Sequence, residues 1–302
     1  MVRASFHLFS YILGRPRSVQ VLLPRPQSPL ADRAAAARLG EKKTLWFFHG
    51  VGDDAEAVLL QTQIAALCDA LDLIVILPDT DNSFCLDTAE EQLARRYLTE
   101  ELAPYLRAVL GLSAAREQNL IGGISMGGYG ACSLALEHPE RFSRVACLSG
   151  ALDLKAAVRY ARACGIPLAA SLTAEPEREE RDLISMLDRA AAEKQPLPEF
   201  FLICSELDMV YRSNARFAAR AAELGLSARL KTAPGLHDWS FWREHLPEAL
   251  EWAAGGASAL ASAHLPGLRE TPGAPRGREP VPPTVPPPAS GGEERKPGEA
   301  QT

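Results

Sequence analysis

The chain alternates between short apolar runs and longer segments in which apolar residues recur at helical spacing. Short apolar runs bounded by Gly, Pro or polar residues predict buried strands, here at 44–48, 73–77, 145–148 and 200–204 and in the run that ends at 121. The alternating segment 19–23, before Pro24, predicts a half-buried edge strand, and 228–232 predicts a last strand. Helical spacing predicts helices over 55–70, 88–110, 131–137, 213–224 and 239–253.

Apolar strands separated by amphipathic helices indicate an α/β fold, with a mostly parallel sheet that helices cover on both faces. In such sheets the chemistry lies beyond the carboxyl ends of the strands. We predict one domain over residues 1–260, in which the less regular segment 151–195 forms a lid-like insertion of short helices.

The C-terminal residues differ in composition from the rest of the chain. Residues 266–302 hold 10 of the 23 prolines, and their five basic residues balance five acidic ones. Such a segment cannot bury a core, so we expect 261–302 to be a disordered, Pro-rich tail. The net charge of −6 therefore belongs to the folded part. An acidic domain without a basic patch argues against a nucleic-acid partner.

Nothing in the sequence indicates a membrane span or an export signal. No apolar run reaches the roughly 18 residues that a span needs, and the N-terminus lacks the apolar core and cleavage site of a signal peptide. The six cysteines form no C-x-x-C pair, which favours free thiols in a reducing compartment. We therefore expect a cytoplasmic protein. No metal-ligand cluster or phosphate-binding loop is present, so we expect no metal and no cofactor; a homo-oligomeric state stays open.

The most informative motif is G-x-S-x-G, formed by Gly123, Ser125 and Gly127. A predicted strand precedes it and a predicted helix follows it, which is the context of a nucleophile elbow. A turn tight enough to lift a serine above the sheet edge leaves no room for Cβ atoms at the flanking positions. The motif therefore predicts Ser125 as a nucleophile.

A serine nucleophile needs a general base, because a neutral hydroxyl reacts poorly at neutral pH. In this architecture the chain order is Ser, then Asp or Glu, then His. Of the histidines after Ser125, His138 ends a helix, His245 lies within one and His264 borders the tail. His237 lies in the loop after the last predicted strand, at the carboxyl edge, and is the predicted base.

The triad acid must orient the imidazole and stabilise its charged form. Asp208 follows the predicted strand 200–204 and is the favoured residue. Glu206, two residues earlier, and Asp153, after the preceding strand, stay as alternatives. Asp238 adjoins the histidine and is poorly placed to reach its Nδ1.

An oxyanion hole needs two backbone N–H groups directed at the developing negative charge. One is expected from Met126, directly after the nucleophile. The other is expected from Val51, in the loop that follows the strand 44–48, where Gly50 permits the turn.

Three aromatic residues near the predicted site are candidates for substrate binding. Phe84 and Tyr129 flank the site and could line an acyl or alcohol pocket, with buried packing as the alternative reading. Trp239 follows the histidine by two positions and could also support its loop.

Taken together, these segments resemble the esterase D / tributyrin esterase group of α/β-hydrolases, which is related to S-formylglutathione hydrolase. The resemblance extends over about 11–253, in the expected order. Its segments are 13–15 with 19–24, 48–50, 78–79 with 82–84, 123–131, 138–143, 204–208 with Asn214, and 237–239 with 241–242. It places the triad on Ser125, Asp208 and His237 and the oxyanion positions on Val51 and Met126. The family's usual glycine after the strand-end cysteine is Ser205 here.

The resemblance implies a serine carboxylic-ester hydrolase that acts on small, short-chain acyl esters through an acyl-enzyme. An acyltransferase would use the same triad and give the acyl group to an alcohol. A thioesterase of the S-formylglutathione type is a further alternative. A non-catalytic binding protein on this fold is a remote one, since no triad member is missing.

Overall fold

The computed structural model describes residues 1–25, 38–89, 93–174 and 178–256, and an eight-stranded sheet forms its centre. The strands are β1 (Val2–Ser10), β2 (Arg15–Leu23), β3 (Thr44–Phe48), β4 (Ile74–Pro78), β5 (Asn119–Ile124), β6 (Arg144–Leu148), β7 (Glu199–Cys204) and β8 (Ala228–Thr232). Their order is β1-β2-β4-β3-β5-β6-β7-β8. β3 to β8 are mutually parallel, and β2 pairs antiparallel with both β1 and β4. The predicted α/β fold with a mostly parallel sheet is confirmed.

Helices cover both faces of this sheet. They are α1 (Ala55–Gln61), α2 (Ile64–Ala70), α3 (the consecutive segments Ala94–Arg96, Tyr97–Leu102 and Ala103–Leu110, the middle one π-helical), α4 (Met126–Glu137), α5 (Leu154–Ala163), α6 (Ala170–Ala174), α7 (Leu183–Ala192), α8 (Tyr211–Glu223) and α9 (Trp239–Ala254). Neighbouring residues of β7 show the two layers. Phe200 packs against Phe217 of α8, whereas Phe201 packs against Trp252 of α9.

The prediction of an edge strand at 19–23 is wrong. These residues belong to β2, which lies between β1 and β4. The true edge is β1, which the sequence analysis missed. Its residues alternate between exposed and half-buried positions, and only Phe6 and Leu8 of this strand pack against the core. Because β1 supplies so few core side chains, its apolar signal is weak.

Two predicted helices differ from the observed ones. The helix expected over 55–70 is interrupted at Thr62, whose backbone is extended and whose hydroxyl donates to the Val58 carbonyl. The helix expected over 88–110 begins only at Ala94. The Asp87 carboxylate accepts hydrogen bonds from the N–H groups of Arg95 and Arg96, and so satisfies donors that the first turn leaves free.

The predicted lid-like segment 151–195 holds α5, α6 and α7 in its described part. Its function as a lid stays a prediction. The predicted tail at 261–302 lies outside the described residues. Among the helices that the structure describes, none combines the length and the apolar character needed to cross a membrane.

Candidate active site

Ser125 lies in a sharp turn between β5 and α4, at the carboxyl edge of the sheet. Its φ of 53° is in the left-handed region, which a residue with a side chain rarely adopts. Three backbone hydrogen bonds hold it there: its N–H donates to the Leu148 carbonyl at 3.0 Å, and its carbonyl accepts from the N–H groups of Ala151 at 3.0 Å and Tyr129 at 3.2 Å. Strain of this kind persists where the surroundings over-determine the conformation, as at a catalytic nucleophile.

The glycines of the motif are sterically required. A Cβ on Gly123 would lie 2.4 Å from the carbonyl carbon of Gly127, and a Cβ on Gly127 would lie 2.3 Å from the Phe48 carbonyl oxygen. Both distances are far below van der Waals contact. The absence of these two side chains lets β5, the elbow and the end of β3 approach closely.

Ser125, His237 and Asp208 form a continuous chain of hydrogen bonds. His237 Nε2 lies 2.9 Å from Ser125 Oγ, and His237 Nδ1 lies 2.9 and 3.0 Å from the two oxygens of Asp208. Because an ionised carboxylate can only accept, Nδ1 carries the proton. In the neutral imidazole, Nε2 is then the unprotonated nitrogen, and it is directed at the serine hydroxyl.

Asp208 is held in its charged form. Its side chain is fully buried, and burial raises the pKa of a carboxyl, but the hydrogen bonds from His237 and from the Val210 N–H outweigh this, so that the Asp208 pKa lies below its ordinary value. The alternative acids lie elsewhere. Glu206 is exposed, and Asp153 accepts the Ala156 N–H at the start of α5.

Ser205 joins the loop that carries the acid to the loop that carries the histidine. Its hydroxyl donates to the Gly235 carbonyl at 2.6 Å and accepts from the Leu207 N–H at 3.1 Å. Ser205 is completely buried. On the other side, the ring of Trp242 contacts His237 edge-on, with 5.1 Å between the ring centroids. The histidine loop is therefore fixed from two directions.

The loop after β3 lies against Ser125. A Cβ on Gly50 would be 3.8 Å from Ser125 Cβ. His49 holds this loop: its Nε2 accepts the Thr80 N–H at 3.0 Å, so its proton is on Nδ1, which donates to the Gly50 carbonyl at 2.8 Å. Val51, the next residue, lines the cavity above Ser125.

Met126, the other predicted oxyanion residue, is the first residue of α4 and lines the same cavity. The first N–H groups of a helix have no partner within it, and the helix dipole favours negative charge there. Within the described part of the chain, neither the Met126 nor the Val51 N–H donates a hydrogen bond to a protein atom.

A cavity of about 810 Å³ opens above Ser125 and His237. Segments that follow six strands, β3 to β8, form its walls. Its other lining residues are Gly50, Val51, Asp53, Phe84, Met126, Ala151, Asp153, Ala156, Ala157, Arg159, Tyr160, Cys164, Ile166, Met209, Val210, Arg212, Ser213 and Trp242. Among the described residues, no group of three or more His, Cys, Asp or Glu side chains lies close enough together to hold a metal ion.

The three aromatic candidates have different positions. Phe84 lines the cavity, as expected. Tyr129 is fully buried and is not part of the lining; its hydroxyl donates to the Arg181 carbonyl, and its ring packs against Phe84. Trp239 is not part of the lining either, since its ring packs against Trp242. Tyr129 and Trp239 both support residues that contact the cavity, which fits the alternative readings of buried packing for Tyr129 and loop support for Trp239. Their substrate-binding assignment stays a prediction.

Sequence reasoning missed most of the cavity wall. Ala156, Ala157, Arg159 and Tyr160 come from α5, in the segment predicted only as an insertion of short helices. The amphipathic pattern of α5 could have indicated a helix with one buried face, but it could not have indicated that other residues of this helix line the cavity above Ser125.

Comparison with known proteins agrees with this geometry. The chain matches the family model described as "Putative esterase" over residues 10–253. An acetyl esterase of Caldicellulosiruptor saccharolyticus is 25% identical over 268 residues, which cover 83% of this chain and 98% of the relative.

Two solved structures from Staphylococcus aureus have the same fold. FphF, a fluorophosphonate-binding serine hydrolase with substrate bound, is 25% identical with a TM-score of 0.72. FrmB, an S-formylglutathione hydrolase solved as the apoenzyme, is 24% identical with a TM-score of 0.73. Each alignment covers 84% of this chain and 98% of the solved chain. Since the family match spans most of its length, this chain belongs to that esterase family and is a serine ester hydrolase of the α/β-hydrolase fold.

Proposed function

We propose that Ser125 is the nucleophile of this hydrolase, His237 its general base and Asp208 the residue that orients the histidine. The hydrogen-bond chain between their side chains, with every heavy-atom distance between 2.9 and 3.0 Å, is the observation that carries the proposal. A nucleophile, a base within reach and a third group that fixes the base are the elements that activate a serine hydroxyl.

In the first half of the reaction, Ser125 Oγ attacks the ester carbonyl carbon while its proton passes to His237 Nε2. The tetrahedral intermediate collapses, the bond to the alcohol oxygen breaks, and His237 returns the proton to the leaving alcohol. In the second half, water attacks the acyl-enzyme and gives a proton to His237, which returns it to Ser125 as the acid departs.

We assign the oxyanion hole to the backbone N–H groups of Val51 and Met126. Both residues line the cavity beside Ser125, and Met126 begins a helix whose N-terminal end favours negative charge. His49 supports this assignment, because its two hydrogen bonds fix the backbone directly before Val51.

The substrate we propose is a small ester with a short acyl chain, and the relative named acetyl esterase supports this choice. The six cysteines are all free, and five of them are buried, which suits a cytoplasmic protein. The lack of a nucleic-acid partner and the oligomeric state stay predictions.

Hydrolysis of a 4-nitrophenyl ester series, from acetate to octanoate, by the wild type and by Ser125→Ala tests the proposal. We expect the highest kcat/KM for the shortest acyl chains and a loss of several orders of magnitude in the variant. Activity that survives in Ser125→Ala would refute the assignment. Product analysis with added alcohols separates the hydrolase from an acyltransferase, which would form a new ester.

A further inference from the structure

The cavity above the triad is much larger than a short acyl group requires. Its volume of about 810 Å³ falls in the range of roughly 300–1,000 Å³ typical of pockets for drug-sized ligands. The cavity therefore has room for substrate groups away from the reacting carbonyl, along the wall formed by α5 and the start of α8.

That wall contains two arginines, Arg159 on α5 and Arg212 on α8. Both side chains are exposed, and neither forms an ion pair or hydrogen bond with another residue in the described ranges. Arg220, on the same helix as Arg212, shows the contrast, because it binds both Asp188 and Glu223. Two guanidinium groups thus face the cavity without a protein partner.

The same cavity also contains two acidic residues, Asp153 and Asp53, and neither forms an ion pair with Arg159 or Arg212. Asp153 accepts the Ala156 N–H and caps α5. Asp53 lies in the loop after β3, where its carboxyl group packs close to Gly50: a Cβ built on Gly50 would be 3.2 Å from one carboxyl oxygen. Burial raises the pKa of the Asp53 carboxyl. Arg159 and Arg212 therefore present two unpaired positive charges to the cavity that contains Ser125.

We propose that the substrate is an ester that carries a carboxylate away from its reacting carbonyl, and that Arg159 and Arg212 bind this carboxylate. The planar guanidinium group presents several donors in a geometry that matches carboxylate oxygens. The inference rests on the proposed function, because the same cavity must hold the ester while Ser125 attacks it.

The test compares two acetate esters that differ in one group: 4-acetoxybenzoate, which is anionic, and 4-acetoxybenzamide, which is neutral. The measured quantity is the ratio of their kcat/KM values, in the wild type and in Arg159→Gln and Arg212→Gln. Dividing each variant's ratio by the wild-type ratio cancels the difference in chemical reactivity between the two esters. Arg162→Gln and Arg216→Gln are matched controls, because each lies on the same helix, is exposed and does not line this cavity.

We expect the ratio to fall about fivefold in Arg159→Gln and in Arg212→Gln, and further in the double variant, because each substitution removes one charge-assisted contact. Neither control should change the ratio by more than about twofold, since exposed charges farther from the ligand are screened by salt. A second pair of probes, the 4-nitrophenyl monoester of octanedioic acid and its terminal amide, carries the charge on the acyl side. The pair with the larger arginine effect identifies the part of the substrate that holds the carboxylate.

Unchanged ratios in both arginine variants, for both pairs of probes, would overturn the proposal, and so would equal losses in the two controls. In that case Ser125-dependent hydrolysis of the neutral esters would leave the proposed function intact. If the wild type hydrolyses none of the four esters faster than Ser125→Ala does, the proposed function fails and this inference fails with it.

Discussion

Replacing Ser205 by Ala removes the hydroxyl that ties the acid loop to the histidine loop. In the structure this hydroxyl donates to the Gly235 carbonyl at 2.6 Å and accepts from the Leu207 N–H at 3.1 Å. Asp208 directly follows Leu207 in the sequence, and His237 lies two residues after Gly235. We therefore expect the substitution to change the relative position of acid and base.

The expected loss of stability follows from the two backbone groups that lose a hydrogen-bond partner, the Gly235 carbonyl and the Leu207 N–H. An unpaired buried polar group costs about 1–3 kcal/mol. Gly235 is half-buried and Leu207 is exposed, so water can replace part of each bond, and we expect a loss of about 1–2 kcal/mol in the free energy of unfolding. Misplacement of catalytic groups by about 1 Å lowers rates roughly 100-fold. A smaller shift of the histidine loop should lower kcat by about tenfold.

The assay combines urea unfolding with steady-state kinetics on 4-nitrophenyl acetate. Ser143→Ala is the matched control, because the Ser143 hydroxyl also donates to a backbone carbonyl, that of Asn119, but next to the amino-terminal ends of β5 and β6. Both variants should lose stability, whereas only Ser205→Ala should lose kcat. A Ser205→Ala enzyme with reduced stability but wild-type kcat would refute the reasoning, since the hydroxyl would then support the fold alone.

Three further predictions concern other parts of the site. Asp208→Asn should lower kcat by about 10³–10⁴-fold, because the amide no longer selects the productive histidine tautomer, and stopped-flow or steady-state kinetics would detect it; a loss below tenfold would contradict this role. His49→Ala should lower kcat on the same ester by about 10–100-fold with little change in KM, because one oxyanion donor loses its support; an effect confined to KM would argue against it. Acid should destabilise the protein. Burial raises the pKa of Asp79 and Asp208, but at Asp79 the Arg17 charge and the Asp81 N–H, and at Asp208 the hydrogen bonds from His237 and the Val210 N–H, lower each pKa below its ordinary value. Their stabilisation is therefore complete above about pH 4 and is lost as the pH falls through the folded-state pKa values. Urea unfolding between neutral pH and pH 3 would show this, and Asp79→Asn should flatten the dependence.

The fold and the grouping of Ser125, His237 and Asp208 could be predicted because both depend on local signals. Each buried strand is a short apolar run, and Ser125, Asp208 and His237 each follow such a strand or the last one in the chain. Parallel strands bring their carboxyl ends to one edge, so three loops distant in sequence meet there. The chain order of serine, acid and histidine then selected residues whose side chains contact each other in the structure.

The substrate pocket could not be predicted in the same way. Tyr129 adjoins the elbow in sequence, but it lies one helical turn along α4, in the core, where its hydroxyl donates to a backbone carbonyl. Arg159 and Arg212 reach the cavity from two helices far apart in the chain. Their presence in one cavity depends on how α5 packs over the sheet edge, and no local pattern contains that information. The hydroxyl of Ser205 was visible only as a departure from the family pattern, and its two partners appear only in the folded chain.

The most direct test of the central claim is to trap the acyl-enzyme. The wild-type protein is mixed with 4-nitrophenyl acetate, quenched in acid within the first turnover and examined by intact-mass measurement and peptide mapping. The account predicts one acetyl group per chain, located on the peptide that contains Ser125, and none in Ser125→Ala. An acetyl group on any other residue, or equal labelling of the variant, would contradict it.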